Sequence, residues 1–354
     1  MSPRFVIVCG SGGVGKTTTA AAIGLNAATA GERVLVVTVD PARRLAQALG
    51  VDSIGHEEVT VPVDGPGSLS VSMLDTKAGW DSLIRRHARD GKSAERVLRN
   101  PLYDNITARF VNSHDYIAME QINELSSSAD HDLVVIDTPP SRNALDLLDA
   151  PRRMREFFGG RLLQWLTLPY RSRLLTLASK PFLQIADRLL GAQFLGDIAE
   201  FFTLLQSMEA GFVARAREVE SLLTSARVGF VVVTTAEPAA AREAAYLAAE
   251  LARRHYAMQR VVVNRLVVDE GDEELPPAAE VAAHVPSVDA GTALAGMTSA
   301  FAHRRTVAAR HRTGVGSLRA LAADVVLVPE TTGAGTQNGP GSVLGAIATA
   351  LSTA

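Results

Sequence analysis

Residues 5–19, FVIVCGSGGVGKTTT, decide the fold of this chain. An apolar, β-prone run leads into a glycine-rich turn, and a helix-forming segment follows from Lys16 to about Ala30. The phosphate-loop pattern G-x-x-x-x-G-K-[ST] begins at Gly10 and ends at Thr17, in the strand-to-helix context that it requires. The alternative is a glycine-rich turn without a ligand. A chance match somewhere in the chain has a probability of roughly a few in a thousand, so the sequence predicts a nucleotide site.

The residue types of this loop suit the binding of phosphate groups. Glycines let consecutive backbone N–H groups approach phosphate oxygens closely, and the N-terminus of the following helix adds a partial positive charge. Lys16 supplies a point charge for the β- and γ-phosphates, and the Thr17 hydroxyl can ligate Mg²⁺. The predicted nucleotide-binding positions of the loop are Gly12, Gly13, Val14, Gly15, Lys16 and Thr17.

Composition narrows the class of protein. The 354 residues are 47% hydrophobic and 21% charged, which is ordinary for a globular protein with a large core. The formal net charge of −3 does not indicate nucleic-acid binding. Cys9 is the sole cysteine, which excludes an internal disulfide and a Cys-only metal site, and its place at a strand end predicts a packing role.

The sequence predicts a cytoplasmic protein. Residues 1–4 run straight into the first predicted strand, so no signal peptide is expected. No apolar run approaches the roughly 18–20 residues that a membrane span requires.

Two further apolar runs, residues 33–39 and 133–136, predict buried parallel strands, and each is followed by an aspartate. Asp40 and Asp137 are therefore expected at the carboxyl edge of the sheet, where open α/β sheets bind ligands. An apolar strand that ends in Asp commonly supplies the carboxylate near the magnesium ion of phosphate-loop enzymes. The alternative is that each aspartate caps the helix that follows it.

The remaining pattern predicts an α/β fold with a doubly wound, mostly parallel sheet of at least six strands. Strands are expected at 69–74, 229–235, 260–266 and 324–328, and residues 55–68 are expected to be a loop. We expect one phosphate-loop domain over 1–354, with the sheet in residues 1–75, 130–150 and 224–330. A helical subdomain is expected over 76–129 and 151–223, and a mobile segment with a closing helix over 331–354.

The helical stretch 151–223 is rich in large apolar residues and in arginine, and three interpretations remain open. The apolar residues, Phe157, Phe158 and Trp165 among them, could form the core of the insertion. They could instead line a groove for an apolar helix of a client protein. The arginines could dock on an anionic membrane surface, which would place the protein peripherally at the inner face of the membrane.

Three motifs resemble those of the ArsA-like family, the arsenite-pump and tail-anchored-protein targeting ATPases. They are the loop with its Lys16-Thr17-Thr18 end, the segment Asp40-Pro41-Ala42, and the run Asp137-Thr138-Pro139-Pro140-Ser141. The family belongs to the dimeric phosphate-loop class that includes MinD and ParA. The resemblance covers the whole chain, because the helical stretch falls where this family carries its helical subdomain.

The resemblance implies ATP and Mg²⁺ as ligands and assigns roles to individual residues. Asp40 would position the attacking water, and Lys16 is the other expected catalytic residue. Asp137 would hold magnesium through water. Thr18 would contact the α-phosphate. Asn264 would hydrogen-bond adenine, although an Asn that ends a strand is often only a turn residue, and Pro329 would pack near the base.

The chain departs from the family pattern at three points. Ser11 occupies the position of a signature lysine that reaches the nucleotide of the partner subunit. The several cysteines of a metalloid site are missing, and so is the Cys-x-x-Cys zinc site. The missing lysine suggests a heterodimer with a paralogue that carries it, or substitution by Arg43 or Arg44.

Two functions follow from these observations. The first is an ATPase in which ATP closes a dimer, reshapes the helical subdomains and serves a protein or membrane partner, as a client-targeting factor or a transport motor. The second is a nucleotide-binding regulatory subunit with little hydrolysis of its own. Ser11 favours the second, whereas Lys16, Thr17, Asp40 and Asp137 favour the first.

Overall fold

The computed structural model describes residues 3–39, 43–103, 113–138, 144–158, 192–268, 277, 280, 289–322, 324–331 and 343–353. The strands within these ranges are β1 (Arg4–Gly10), β2 (Arg33–Thr38), β3 (Val59–Val61), β4 (Ser68–Met73), β5 (Leu133–Asp137), β6 (Val228–Thr235), β7 (Met258–Leu266) and β8 (Val325–Pro329).

The helices within the same ranges are α1 (Lys16–Thr29), α2 (Arg43–Leu49), α3 (Thr76–His87), α4 (Gly91–Leu98), α5 (Ser113–Leu125), α6 (Ala144–Phe158), α7 (Ala192–Ser207), α8 (Glu209–Leu223), α9 (Pro238–Arg253), α10 (Ala290–Arg319) and α11 (Val343–Thr353). Of the helices in this part of the chain, none combines the length and the apolar character that crossing a membrane requires.

The strands form one eight-stranded sheet in the order β3-β4-β2-β5-β1-β6-β7-β8. All neighbouring strands are parallel except β3 and β4. The prediction that residues 55–68 are only a loop was wrong, because Val59–Val61 pairs with β4 at the sheet edge. A strand of three residues is too short to show a clear period in the sequence.

Helices cover both faces of the sheet, which explains why its central strands are continuous apolar runs. Along β1, Phe5, Ile7 and Cys9 pack into the core on one face, and Val6 and Val8 pack into the core on the other. The first core includes residues of α3 to α10, and the second includes residues of α1, α2 and α11. The predicted doubly wound α/β fold is confirmed.

The helices α3 to α5 lie between β4 and β5 in the chain, and α6 to α8 lie between β5 and β6. The subdomain boundary expected at residue 151 falls inside α6. In the described part of this region, Phe201, Leu205, Met208 and Phe212 are buried in the core, as the packing interpretation expects. The side chains of residues 157 and 158 and all of residue 165 lie outside the described residues.

The last helix, α11, packs against α1, the helix that follows the glycine-rich loop. Leu344 and Ile347 of α11 are buried, and the Asn26 amide of α1 donates a hydrogen bond of 2.7 Å to the Ala348 carbonyl. This contact holds α11 beside α1 in the same core, which also includes Val326 and Val328 of β8. The segment expected to be mobile is residues 331–342, and all of it except Thr331 lies outside the described residues.

We expect Ile347→Ala to lower the free energy of unfolding by about 2–4 kcal/mol, because it leaves a cavity where a fully buried side chain packs beside α1. Val343→Ala is the matched control on the same helix, since 40% of Val343 is exposed. It should cost less than about 0.5 kcal/mol. Chemical denaturation measures both variants. Equal costs would contradict the packing of α11 described here.

Candidate functional site

The glycine-rich loop connects the end of β1 to the start of α1 with backbone conformations that favour glycine. Gly13 has a φ of 79° and Gly15 a φ of 100°, both in the left-handed region. Gly15 is the N-cap of α1, and it has no side chain with which to cap the first-turn amides. The first turn also contains no acidic residue. This helix N-terminus therefore suits an external anion.

Two glycines of the loop are required by close packing. A Cβ atom on Gly10 would lie 2.1 Å from the carbonyl oxygen of Val233 on β6. A Cβ atom on Gly15 would lie 2.2 Å from the side-chain nitrogen of Asn264 on β7. The loop is thus pressed against the ends of two neighbouring strands.

Lys16 folds back over the loop that precedes it. Its side chain is buried, and its Nζ atom donates a hydrogen bond of 2.9 Å to the backbone carbonyl of Ser11. On the next turn of α1, the Thr19 hydroxyl donates to the Gly15 carbonyl at 2.9 Å. Thr17 and Thr18 are half-buried between these two residues. The ammonium charge is therefore held at the loop, as binding to phosphates requires.

Asp137 ends β5, and its position follows from the parallel pairing of that strand. It lies opposite Val8 of β1 on one side and Thr38 of β2 on the other. The side chain is fully buried, and its Oδ2 atom accepts a hydrogen bond of 3.1 Å from the Thr38 hydroxyl. The structure thus brings Asp137 to the sheet edge that carries the loop. Asp40 lies outside the described residues, and β2 ends two residues before it.

The groups present fit a magnesium-bound phosphate chain. The N-terminus of α1 and Lys16 provide positive charge, and the oxygen ligands that Mg²⁺ prefers are available from the Thr17 hydroxyl and the Asp137 carboxylate. These groups come from α1, which follows β1 through the loop, and from β5, which pairs with β1.

A cavity of about 720 Å³ opens on the side of the loop that faces β6, β7 and β8. Residues 11–14 of the loop form one wall. Its volume lies within the range that is usual for small-molecule sites. The opposite wall includes Thr235, Glu237, Arg265, Val267, His311 and Glu330.

Neither of the two residues predicted to lie near the base lines this cavity, but each directly precedes a residue that does, Arg265 and Glu330 respectively. Asn264 is 2% exposed, and its side chain bonds to the loop backbone. Pro329 is the last residue of β8, directly before Glu330 of the cavity wall. Contact of either residue with adenine stays a prediction.

The sequence did not predict the role of Glu237 and His311 in the cavity wall. The His311 Nδ1 atom accepts a hydrogen bond of 3.1 Å from the Val267 N–H, so the ring proton belongs on Nε2, which lies 3.1 Å from a Glu237 oxygen. Arg310 donates to the same oxygen at 3.0 Å. The hydrogen bond from His311 and the charge of Arg310 hold the pKa of Glu237 below its usual value. The sequence contains no motif that predicts this cluster, because His311 is a single histidine in a basic stretch.

Cys9 is buried at the end of β1, and its thiol lies 3.5 Å from the Val231 carbonyl. Burial raises the pKa of the thiol to about 12, and the nearby Lys16 charge only partly opposes this effect. Among the described residues, no group of three or more His, Cys, Asp or Glu side chains is arranged to hold a metal ion. Cys9 therefore has the packing role that was expected of it.

Comparison with known proteins gives a family match over most of the chain. A family model described as anion-transporting ATPase matches residues 3–284. The matched range includes the loop, Asp137, Asn264 and the helices between β4 and β6.

Individual relatives match a smaller part of this chain than the family model does. The ATPase GET3 of Malassezia globosa is 28% identical over 150 residues, which is 42% of this chain and 43% of the relative. A putative arsenical pump-driving ATPase of Halobacterium salinarum is 28% identical over 162 residues, 44% of this chain and 24% of the relative. An uncharacterized protein of Streptomyces coelicolor is 33% identical over 153 residues, 43% of this chain and 38% of the relative. The chain thus spans less than half the length of these relatives.

We expect Cys9 to resist alkylation by iodoacetamide in the folded protein at pH 8. With a thiol pKa of about 12, only about one molecule in ten thousand carries the reactive thiolate at that pH, and burial blocks access as well. The same protein in guanidinium chloride is the control and should be alkylated completely. Mass spectrometry measures the modified fraction. Rapid alkylation of the folded protein would contradict a packing role.

Proposed function

Because this chain belongs to the anion-transporting ATPase family, we propose that it binds Mg-ATP and hydrolyses the γ-phosphate bond. The observation that carries this proposal is the loop between β1 and α1, with buried Lys16 at its end and buried Asp137 on the adjacent strand. A glycine-rich turn that served only packing would not need a lysine and a strand-end carboxylate at the same sheet edge.

Each group of the site has a role in this proposal. The loop amides of residues 12–15 and the Lys16 ammonium bind the phosphate oxygens and stabilise charge that develops on them. Thr18 contacts the α-phosphate, and Asp40 aligns the attacking water. Thr17 and Asp137 are the residues that would hold Mg²⁺, which neutralises charge on the β- and γ-phosphates when it is bound.

The helix α6 provides a mechanical route from the site to the helical region. It begins seven residues after Asp137, and its Asp149 carboxylate accepts two hydrogen bonds from Arg254 at 2.9 and 3.2 Å. Arg155, further along α6, donates to Glu220 of α8 at 2.6 Å. A displacement of α6 would therefore be passed to α8.

We infer from this route that ATP drives opening and closing of a dimer in the service of a protein or membrane partner. The partner would be an apolar helix of a client or a membrane protein at the helical subdomain. One relative is named as a putative arsenical pump-driving ATPase, which agrees with a motor that serves a transporter. A cytoplasmic location, with contact at the inner membrane face, belongs to the same proposal.

A second function, a regulatory subunit of a heterodimer, is favoured by Ser11. The backbone carbonyl of Ser11 accepts the hydrogen bond from Lys16. The short side chain of Ser11 cannot reach the nucleotide of a partner subunit as a lysine side chain would. A paralogue with the signature lysine would supply that charge to this chain's site. Arg44, exposed on α2, and its neighbour Arg43 are the other candidates for this role.

We expect Lys16→Ala to lower the rate of Mg-ATP hydrolysis by at least about a hundredfold, because it removes the charge nearest the transferred phosphoryl group. Lys92→Ala is the matched control, since Lys92 is exposed on α4 in the helical region. That variant should keep the wild-type rate. Phosphate release measures both rates. Wild-type turnover by Lys16→Ala would exclude this loop as the hydrolytic site.

We expect Ser11→Lys to raise hydrolysis by the isolated chain by about tenfold or more, because it restores a charge that stabilises the transition state across a dimer. The Ser11–Lys16 bond uses the backbone carbonyl of residue 11 and is unaffected by the new side chain. The gain should grow with protein concentration, as dimer formation requires. Cooperative turnover by the wild-type chain alone, kept in an Arg43→Ala/Arg44→Ala variant, would contradict both ideas about the missing charge.

A further inference from the structure

The side chain of Asn264, at the end of β7, bonds to the phosphate-binding loop itself. Its Nδ2 atom donates a hydrogen bond of 2.9 Å to the carbonyl oxygen of Val14. Its Oδ1 atom accepts one of 2.9 Å from the N–H of Arg265. With 2% of the residue exposed, both ends of the amide are directed into protein.

The bond to Val14 also determines the direction of the next amide in the loop. A trans peptide holds its C=O and N–H on opposite sides, and the described residues contain no cis peptide. Directing the Val14 carbonyl toward Asn264 therefore directs the Gly15 N–H away from Asn264. Asn264 also packs closely on Gly15, where an added Cβ atom would lie 2.2 Å from Nδ2.

The end of β7, which carries Asn264, is anchored on its other sides. Arg265 has a φ of 54°, a conformation that is uncommon for a residue with a side chain. The Val267 N–H donates to His311 of α10 at 3.1 Å, and the Glu330 N–H after β8 donates to the Leu266 carbonyl at 2.9 Å. Asn264 thus projects from a strand end that α10 and β8 hold in place.

We propose that Asn264 is a positioning residue for the phosphate loop. It holds the Val14–Gly15 peptide in the orientation in which the loop amides bind phosphate, so its contribution falls on the phosphate chain and is independent of the base. This inference rests on the proposed nucleotide binding, and it differs from direct recognition of adenine. An adenine contact would act only on ligands that contain the base.

Inorganic triphosphate separates the two roles because it lacks both base and ribose. The experiment measures the affinities of triphosphate and of ATP, each with Mg²⁺, for wild-type protein and for Asn264→Ala by titration calorimetry. Loss of the bond leaves a buried carbonyl without its donor, so both affinities should fall by the same factor of roughly ten. A fall in ATP affinity with triphosphate affinity unchanged would overturn the inference in favour of base recognition.

Two further variants separate positioning from general destabilisation. Asn264→Asp keeps the shape of the side chain but places an acceptor against the Val14 carbonyl, so it should weaken both ligands at least as much as Asn264→Ala. Asn26→Ala is the matched control, because Asn26 also donates from its amide to a backbone carbonyl, that of Ala348. It should leave both affinities unchanged. Equal losses in Asn26→Ala and Asn264→Ala would contradict a specific positioning role.

Hydrogen exchange on the wild-type protein tests the same inference without any variant, so the result does not depend on whether a variant folds. Triphosphate should slow hydrogen exchange in peptides that cover residues 264–267 as well as in those that cover the loop. Protection of the loop alone would count against the inference. Wild-type protein that binds neither ligand would overturn the proposed function itself, and protein that binds ATP but not triphosphate would overturn the positioning role alone.

Discussion

Parallel pairing of β1 with both β5 and β6 is the constraint on which the rest of the structure depends. In parallel strands the carboxyl ends meet at one edge of the sheet. The register places Val8 opposite Asp137 and Gly10 opposite Val233, so the loop emerges between a buried carboxylate and the wall of the cavity. Burial of both sheet faces requires continuous apolar strands, and the polar chemistry is therefore confined to the residues at which these strands end.

Part of the support for the loop comes from neighbouring elements. Val233 leaves no room for a side chain at residue 10, and Asn264 holds the peptide before Gly15. The segment directly after β7 is anchored by the hydrogen bond from the Val267 N–H to His311 of α10. On the other side of the site, Arg155 of α6 pairs with Glu220 of α8, and Asp149 of α6 pairs with Arg254 at the end of α9.

The sequence was informative where a local pattern carries the structure. The central strands, the loop and the doubly wound sheet were predictable, because burial on both faces leaves uninterrupted apolar runs and the loop has a fixed spacing. The strand Val59–Val61 was missed because three residues show no period. The bonds from Asn264 to Val14 and from His311 to Glu237 were missed because they join residues far apart in the chain, and only the packing of the strand ends brings them together.

The central claim is that the loop and Asp137 form one site for a magnesium-bound nucleotide. Its most direct test is the equilibrium affinity for ATP with and without Mg²⁺, measured on wild-type protein and on Asp137→Asn. Mg²⁺ should raise the ATP affinity of the wild-type protein by about tenfold or more, and Asp137→Asn should lose this gain while it still binds free ATP. An affinity that is independent of Mg²⁺ in the wild-type protein, or a gain that persists in the variant, would contradict the claim.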